Sequence, residues 1–235
     1  MNVNEIMKEL EEFGKPQTKK VLMNHGAKEP FFGVKVQDLK KIVKKVKKNH
    51  ELSLALYETG NSDAMYLAGL IADEKQITKA QLQTWVDQAY WYMISEYTVP
   101  WVAAESSFGM ELALEWIESE EERIASAGWA TLSSIAAVKD DSELDLEQYT
   151  QLLDRVEKQV HAAGNRVSYT MNGFVIATGS YLKDLTKKAM QIAEKIGKVK
   201  VEMGGTACKV PLAKDYINKM ILKERIGLKR KTARC

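Results

Sequence analysis

The sequence predicts an all-α protein, a HEAT-like α-α superhelix in which antiparallel helix pairs stack into a solenoid. Three observations predict it. Apolar residues recur at helical period along almost the whole chain. The periodic runs are short and alike in length, about eleven to thirteen runs of roughly 8–18 residues, with no long central one. Strand signals are scarce. Many similar helices argue against a four-helix bundle and for stacked pairs repeating every ~40 residues. No linker or low-complexity stretch divides the chain, so one domain over 1–235 is expected.

The elements follow in order. In VQDLKKIVKKVKK, Val36 to Lys48, the residues Val36, Leu39, Ile42, Val43 and Val46 share one arc of a helical wheel. Lys40, Lys41, Lys44, Lys45, Lys47 and Lys48 occupy the opposite arc. Further runs are read at 51–58, 62–73, 78–89, 91–105, 107–118, 120–137, 146–160, 166–179, 181–197 and 211–222. Thr78 with Gln81 and Ser119 with Glu122 have the spacing of a capping box, in which each partner satisfies an orphan N–H of the first turn. Pro211 suits a first helical position, and Gly14, Gly60, Gly164 and Gly197 suit helix ends. Pro100 falls inside a periodic run and should interrupt it. KVKVEMGG, Lys198 to Gly205, alternates like a strand but has no partner, so an extended loop is expected.

Composition sets the class. Hydrophobic content of 45% and charged content of 28% are those of a soluble globular protein. Two cysteines, Cys208 and Cys235, make no disulfide framework. Neither a secretory leader nor an apolar run of membrane-crossing length is seen, so a cytoplasmic protein is expected. The net charge of +2 hides a segregation. Residues 1–50 carry twelve lysines against six acids, 51–145 four bases against eighteen acids, and 146–235 eighteen bases against eight acids. Basic ends around an acidic middle suggest a polyanionic partner. The last thirteen residues, KERIGLKRKTARC, add six bases against one acid.

Two segments carry candidate chemistry. The lysine face of 40–48, with Lys35 before it, holds six like charges with no intervening acid, which repel one another unless anions sit opposite. Phosphates would do so, and counterion release would drive their binding. The same helix lacks the aromatic residues that insert into a membrane surface. The second segment is AYWYMISEYTVPW, Ala89 to Trp101, with Tyr90, Trp91, Tyr92, Tyr97 and Trp101 around Glu96. Rings beside a carboxylate can hold a planar cation, and rings at this spacing are equally those of a helical core. His25, His50 and His161 lie in unrelated segments and form no nucleophile–base pair, and no Cys/His pairs stand at metal-ligand spacing. GGTACK, Gly204 to Lys209, lacks the spacing of a phosphate loop. No metal or cofactor is expected.

Those two segments, with KKVLMNHGAKEPFFGVKVQDLKKIVKK (19–45), ERIASAGWATLSSIA (122–136), NRVSYTMNGFVIATGSY (165–181) and the ending from Cys208, resemble the HEAT-like-repeat alkylpurine DNA glycosylases of the DNA alkylation repair family. The resemblance implies a superhelix with DNA across a basic concave face. It implies excision of positively charged N3- and N7-alkylated purines without metal or nucleotide, a carboxylate stabilising the developing oxocarbenium charge. Anchored on Pro100, the family's aromatic and acidic positions fall on Tyr92 and Glu96, with Trp91 adjacent. The family's catalytic arginine falls on Ser126, with Arg123 one turn away. The chain thus departs from the pattern at all three positions, and serine cannot replace an arginine fork.

The resulting expectation is a monomeric DNA-binding protein. Phosphates would be contacted by Lys35, Lys40, Lys41, Lys44, Lys45, Lys47, Lys48, Arg123, Arg166, Lys229, Arg230, Lys231 and Arg234. The basic tail would clamp one end of the array and the lysine helix the other. Glu96, Trp91 and Tyr92 would form a variant or remnant excision site. The alternatives are a non-catalytic binder of damaged or branched DNA, a scaffold whose acidic middle meets a basic protein, and a binder of RNA.

Overall fold

The computed structural model describes residues 1–204 and 206–234; Gly205, the end of the expected extended loop, and Cys235 lie outside them. Among the described residues there are thirteen α-helices and no strand. They are α1 (Val3–Phe13), α2 (Pro16–Asn24), α3 (Val36–Val46), α4 (His50–Glu58), α5 (Ser62–Ile71), α6 (Lys79–Gln88), α7 (Val99–Glu105), α8 (Gly109–Trp116), α9 (Glu122–Val138), α10 (Leu146–Gln159), α11 (Asn165–Tyr181), α12 (Thr186–Ile196) and α13 (Ala213–Leu222). None is long and apolar enough to cross a membrane. α1 and α2 were not among the runs read from the sequence; α1 opens with a capping box formed by Asn2 and Glu5.

Local chemistry accounts for the boundaries. Thr78 and Gln81 cap α6 reciprocally at 3.2 and 2.9 Å. The Ser119–Glu122 box does not form. Ser119 instead accepts the Glu121 N–H, and the Glu122 carboxylate reaches across to accept the Arg166 N–H at 2.7 Å. That N–H opens α11, whose N-cap is Gly164. Gly164 therefore starts a helix rather than ending one: a Cβ there would come within 2.8 Å of the Glu122 carboxylate. Pro211 lies ahead of α13, not in its first turn, and its carbonyl accepts a bond from Asn172.

Helices α5, α7, α9, α11 and α13 lie side by side in a front row, with α4, α6, α8, α10 and α12 paired behind them. This is the arrangement expected of a HEAT-like array. Glycines permit the closest crossings. A Cβ at Gly69 would come within 2.5 Å of Thr98, one at Gly128 within 2.7 Å of the Ile117 N–H, and one at Gly179 within 2.6 Å of Ile217. The buried apolar residues form two clusters, one mainly from α1–α7 and one from α8–α13, with Met110 and Leu144 packed against both.

The tail departs from expectation. It does not clamp a far end of the array but turns back across the front row. The Gly227 N–H bonds the Ser180 carbonyl of α11, and the Arg230 N–H bonds the Ala137 carbonyl of α9. Arg234 donates to the Gly69 and Ala72 carbonyls at 2.9 and 3.0 Å. Carbonyls at helix C-termini lack intrahelical donors and carry partial negative charge, so a basic segment is drawn over them.

Candidate nucleic-acid interface

The site begins with Pro100. Proline has no N–H to give the carbonyl four residues earlier, so the helix cannot run through in normal register. The Val99 N–H instead bonds the Ile94 carbonyl five residues back, and Ile94–Thr98 form a single π turn ahead of α7. π turns re-aim side chains and recur at functional sites. This one carries Glu96 at its centre.

Glu96 does not stand free. Arg166, from the first turn of α11, grips it with Nε on Oε1 at 2.7 Å and a terminal nitrogen on Oε2 at 2.5 Å. The two side chains are 3% and 17% exposed, so the pair is nearly dry. The guanidinium lies 4.4 Å from the ring centroid of Tyr92 and 4.4 Å from that of Tyr169. Tyr92 is held in turn by a 3.0 Å bond to His25. Burial pushes the Glu96 carboxyl above its ordinary value of 4.5, opposed by the hydrogen bond and charge of Arg166. Two short N–H···O contacts are those of a guanidinium on a carboxylate, so the pair is ionised at neutral pH.

The cage for a planar cation read around Glu96 thus exists and contains a cation of the chain's own. Its second ring is Tyr169, not Trp91. Trp91 is buried in the core beside Tyr92, its ring 5.4 Å away. Ser126 is fully buried, its hydroxyl spent on the Arg123 carbonyl.

The basic candidates divide in two. Arg123 donates to the Val86 and Asp87 carbonyls at the end of α6. Lys41 pairs with Asp38, Lys45 with Glu9, and Lys48 with Glu74. Lys229 pairs with Asp141, and Arg234 with Glu74 and Glu105. Part of the charge segregation along the chain is therefore consumed internally, Lys48, Arg166, Lys229 and Arg234 of the basic ends meeting acids of the middle. Lys35, Lys40, Lys44, Lys47, Arg230 and Lys231 have no carboxylate partner among the described residues.

Folding brings Lys48 and the tail residue Arg234 to one acid, Glu74. A depression of about 450 Å³ is lined by Lys48 beside α3 and by Lys231 and Arg234 of the tail, with Lys139, Glu74, Glu105 and Glu143. On the other side of the tail lies an aromatic cavity of about 280 Å³, walled by Glu96, Tyr97, Trp101, Tyr169 and Arg230. Sequence reasoning missed Tyr169. The available signal was its place one turn after Arg166, on the same face of α11.

Comparison with known proteins agrees with this architecture. Residues 6–204 match the family described as DNA alkylation repair enzyme. The uncharacterized protein Lmo0209 of Listeria monocytogenes serovar 1/2a is 36% identical over 90% of this chain and 93% of its own length. Lin0241 of Listeria innocua serovar 6a is 35% identical over the same shares. A solved structure covers 100% of both chains with a TM-score of 0.92 at 36% identity; it is described as a new family of proteins related to the HEAT-like repeat DNA glycosylases with affinity for branched DNA structures. The front row of paired helices, the acid-bearing π turn ahead of Pro100 and the match over 6–204 together place this chain in the DNA alkylation repair enzyme family.

Proposed function

We propose that this protein binds DNA across the front row of helices and the neighbouring α3, favours branched over plain duplex DNA, and does not excise alkylated purines. The observation that argues against excision is Arg166 on Glu96. Excision would need an unpaired anion facing the sugar as positive charge develops there. Here the carboxylate is already matched by a guanidinium, and the space between the rings of Tyr92 and Tyr169 is filled. The unpartnered lysines of α3 with Arg230 and Lys231 supply phosphate contacts. The affinity for branched DNA described for the solved relative supports the preference.

Two assays on one preparation test it. A four-way junction should bind more tightly than its duplex arms, with affinity falling as salt rises. Duplex containing 7-methylguanine should release no free base. Release by the wild type that disappears in Glu96→Gln would contradict the reading and restore an excision enzyme.

A further inference from the structure

An aromatic cavity opens beside the Glu96–Arg166 pair, and neither the pair nor the family match accounts for it. Tyr97 and Trp101 stand on one side, their ring centroids 6.0 Å apart and steeply inclined. Tyr169 and Gly173 of α11 form the other side, and Ser133 and Ser134 of α9 lie between. The remaining wall is the tail, through Arg230 and Ala233. The tail lies beyond the family match, which ends at residue 204, so this wall is not a feature the family match assigns.

Gly173 is the second observation. A glycine inside a helix costs roughly 0.5–1 kcal/mol relative to alanine. Gly69, Gly128 and Gly179 each have a steric reason, because a Cβ would strike a neighbouring helix. Gly173, at mid-α11, has none: a Cβ there would meet nothing within 4 Å. Its missing side chain keeps the cavity open.

The third is charge. Glu96 is neutralised by Arg166, so the interior offers rings and hydroxyls rather than a net charge. At the mouth, the exposed Arg230 guanidinium contacts only the Arg234 carbonyl among the described residues. Apolar π-faces inside and a free cation at the rim match a base on a phosphodiester, with the ring system buried and the phosphate outside. A paired base cannot enter without being unstacked, whereas a branch point offers unpaired bases at low cost.

We propose that this cavity receives one unpaired nucleobase of the bound DNA, stacked against Tyr97, Trp101 or Tyr169, with the adjoining phosphate on Arg230. The proposal rests on the DNA-binding reading above and names what that face recognises at a branch.

The test uses full-length protein and a four-way junction carrying 2-aminopurine at the branch point, with a second junction labelled in mid-arm. Wild type should quench the branch-point label on binding and leave the mid-arm label unchanged. Gly173→Leu projects a side chain into the cavity from a position where a Cβ meets nothing within 4 Å. It should abolish the quenching and cut the junction-over-duplex preference about tenfold, within the range expected of one lost base–aromatic stack. A melting curve confirms that the variant folds, and Tyr169→Leu provides an independent variant with the same expected loss. Junction binding by wild type with no change in the branch-point label would overturn this proposal and leave DNA binding standing. Full quenching in both variants would overturn it likewise. No binding of any DNA by wild type would overturn the DNA-binding reading and the proposal with it.

Discussion

Replacing Arg166 with Met would keep most of the stem packing between Tyr92 and Tyr169 while removing the charge that Glu96 faces. Glu96 would then be a carboxylate at 3% exposure with no cation beside it. A buried charge stripped of its partner costs about 3–5 kcal/mol unless the group takes up a proton. Protonation caps the loss. For an acid of ordinary value 4.5, holding the proton at pH 7 costs about 3.4 kcal/mol, and at pH 5 about 0.7 kcal/mol, at 1.36 kcal/mol per unit. The sign follows from a folded value raised above the unfolded one: the contribution is favourable at low pH and is lost as pH rises through the folded value. The variant should therefore be destabilised more at pH 7 than at pH 5, by up to about 2.7 kcal/mol. Urea unfolding of wild type and variant at both pH values measures this, because groups common to the two proteins cancel. An equal loss at pH 5 and pH 7 would refute the claim that Glu96 is buried and held ionised by Arg166.

Other outcomes follow from the same geometry. Gly173→Ala should raise stability by roughly 0.5–1 kcal/mol, because it removes a mid-helix glycine where a Cβ has open space; a melting point below wild type would contradict this. Arg234→Ala should release the tail, costing about 1–3 kcal/mol as the Gly69 and Ala72 carbonyls and two carboxylates lose a donor, and limited trypsin digestion should then cut after Lys229 to Lys231 faster than in wild type. Burial pushes the Glu74 carboxyl up, but the Lys48 bond with the Arg234 and Lys48 charges outweighs it and holds the group below 4.5. Its stabilising contribution is therefore present above pH 4.5 and lost as pH falls through the folded value, so trypsin-resistant tail recovered after brief acid exposure should decline below pH 4.5 in wild type and much less in Glu74→Gln.

The helical array was legible because period and caps are local. The lysine face of α3 and the interruption at Pro100 could be read from a few neighbouring residues. Glu96 and Arg166 were both singled out, yet as an excision acid and a phosphate ligand; their bond spans 70 residues, and no local pattern couples them. The same holds for Arg234 and Glu105, 129 residues apart, so the tail read as a free clamp where it is a strap across the row. The Ser119–Glu122 spacing matched a capping box, but a tertiary contact to α11 claimed the Glu122 carboxylate first. Gly173 was visible as a mid-helix glycine, and only the empty space around it separates it from Gly128.

If DNA lies on the cations that the fold leaves unpaired, the salt dependence of four-way-junction binding must report them. Wild type should lose affinity linearly in log salt, and the variant Lys40→Gln, Lys44→Gln, Lys47→Gln should bind with a slope shallower by roughly 2.7, about 0.9 for each phosphate contact removed. A triple variant with the wild-type slope, or a wild type whose binding ignores salt, would mean that DNA does not lie on these cations.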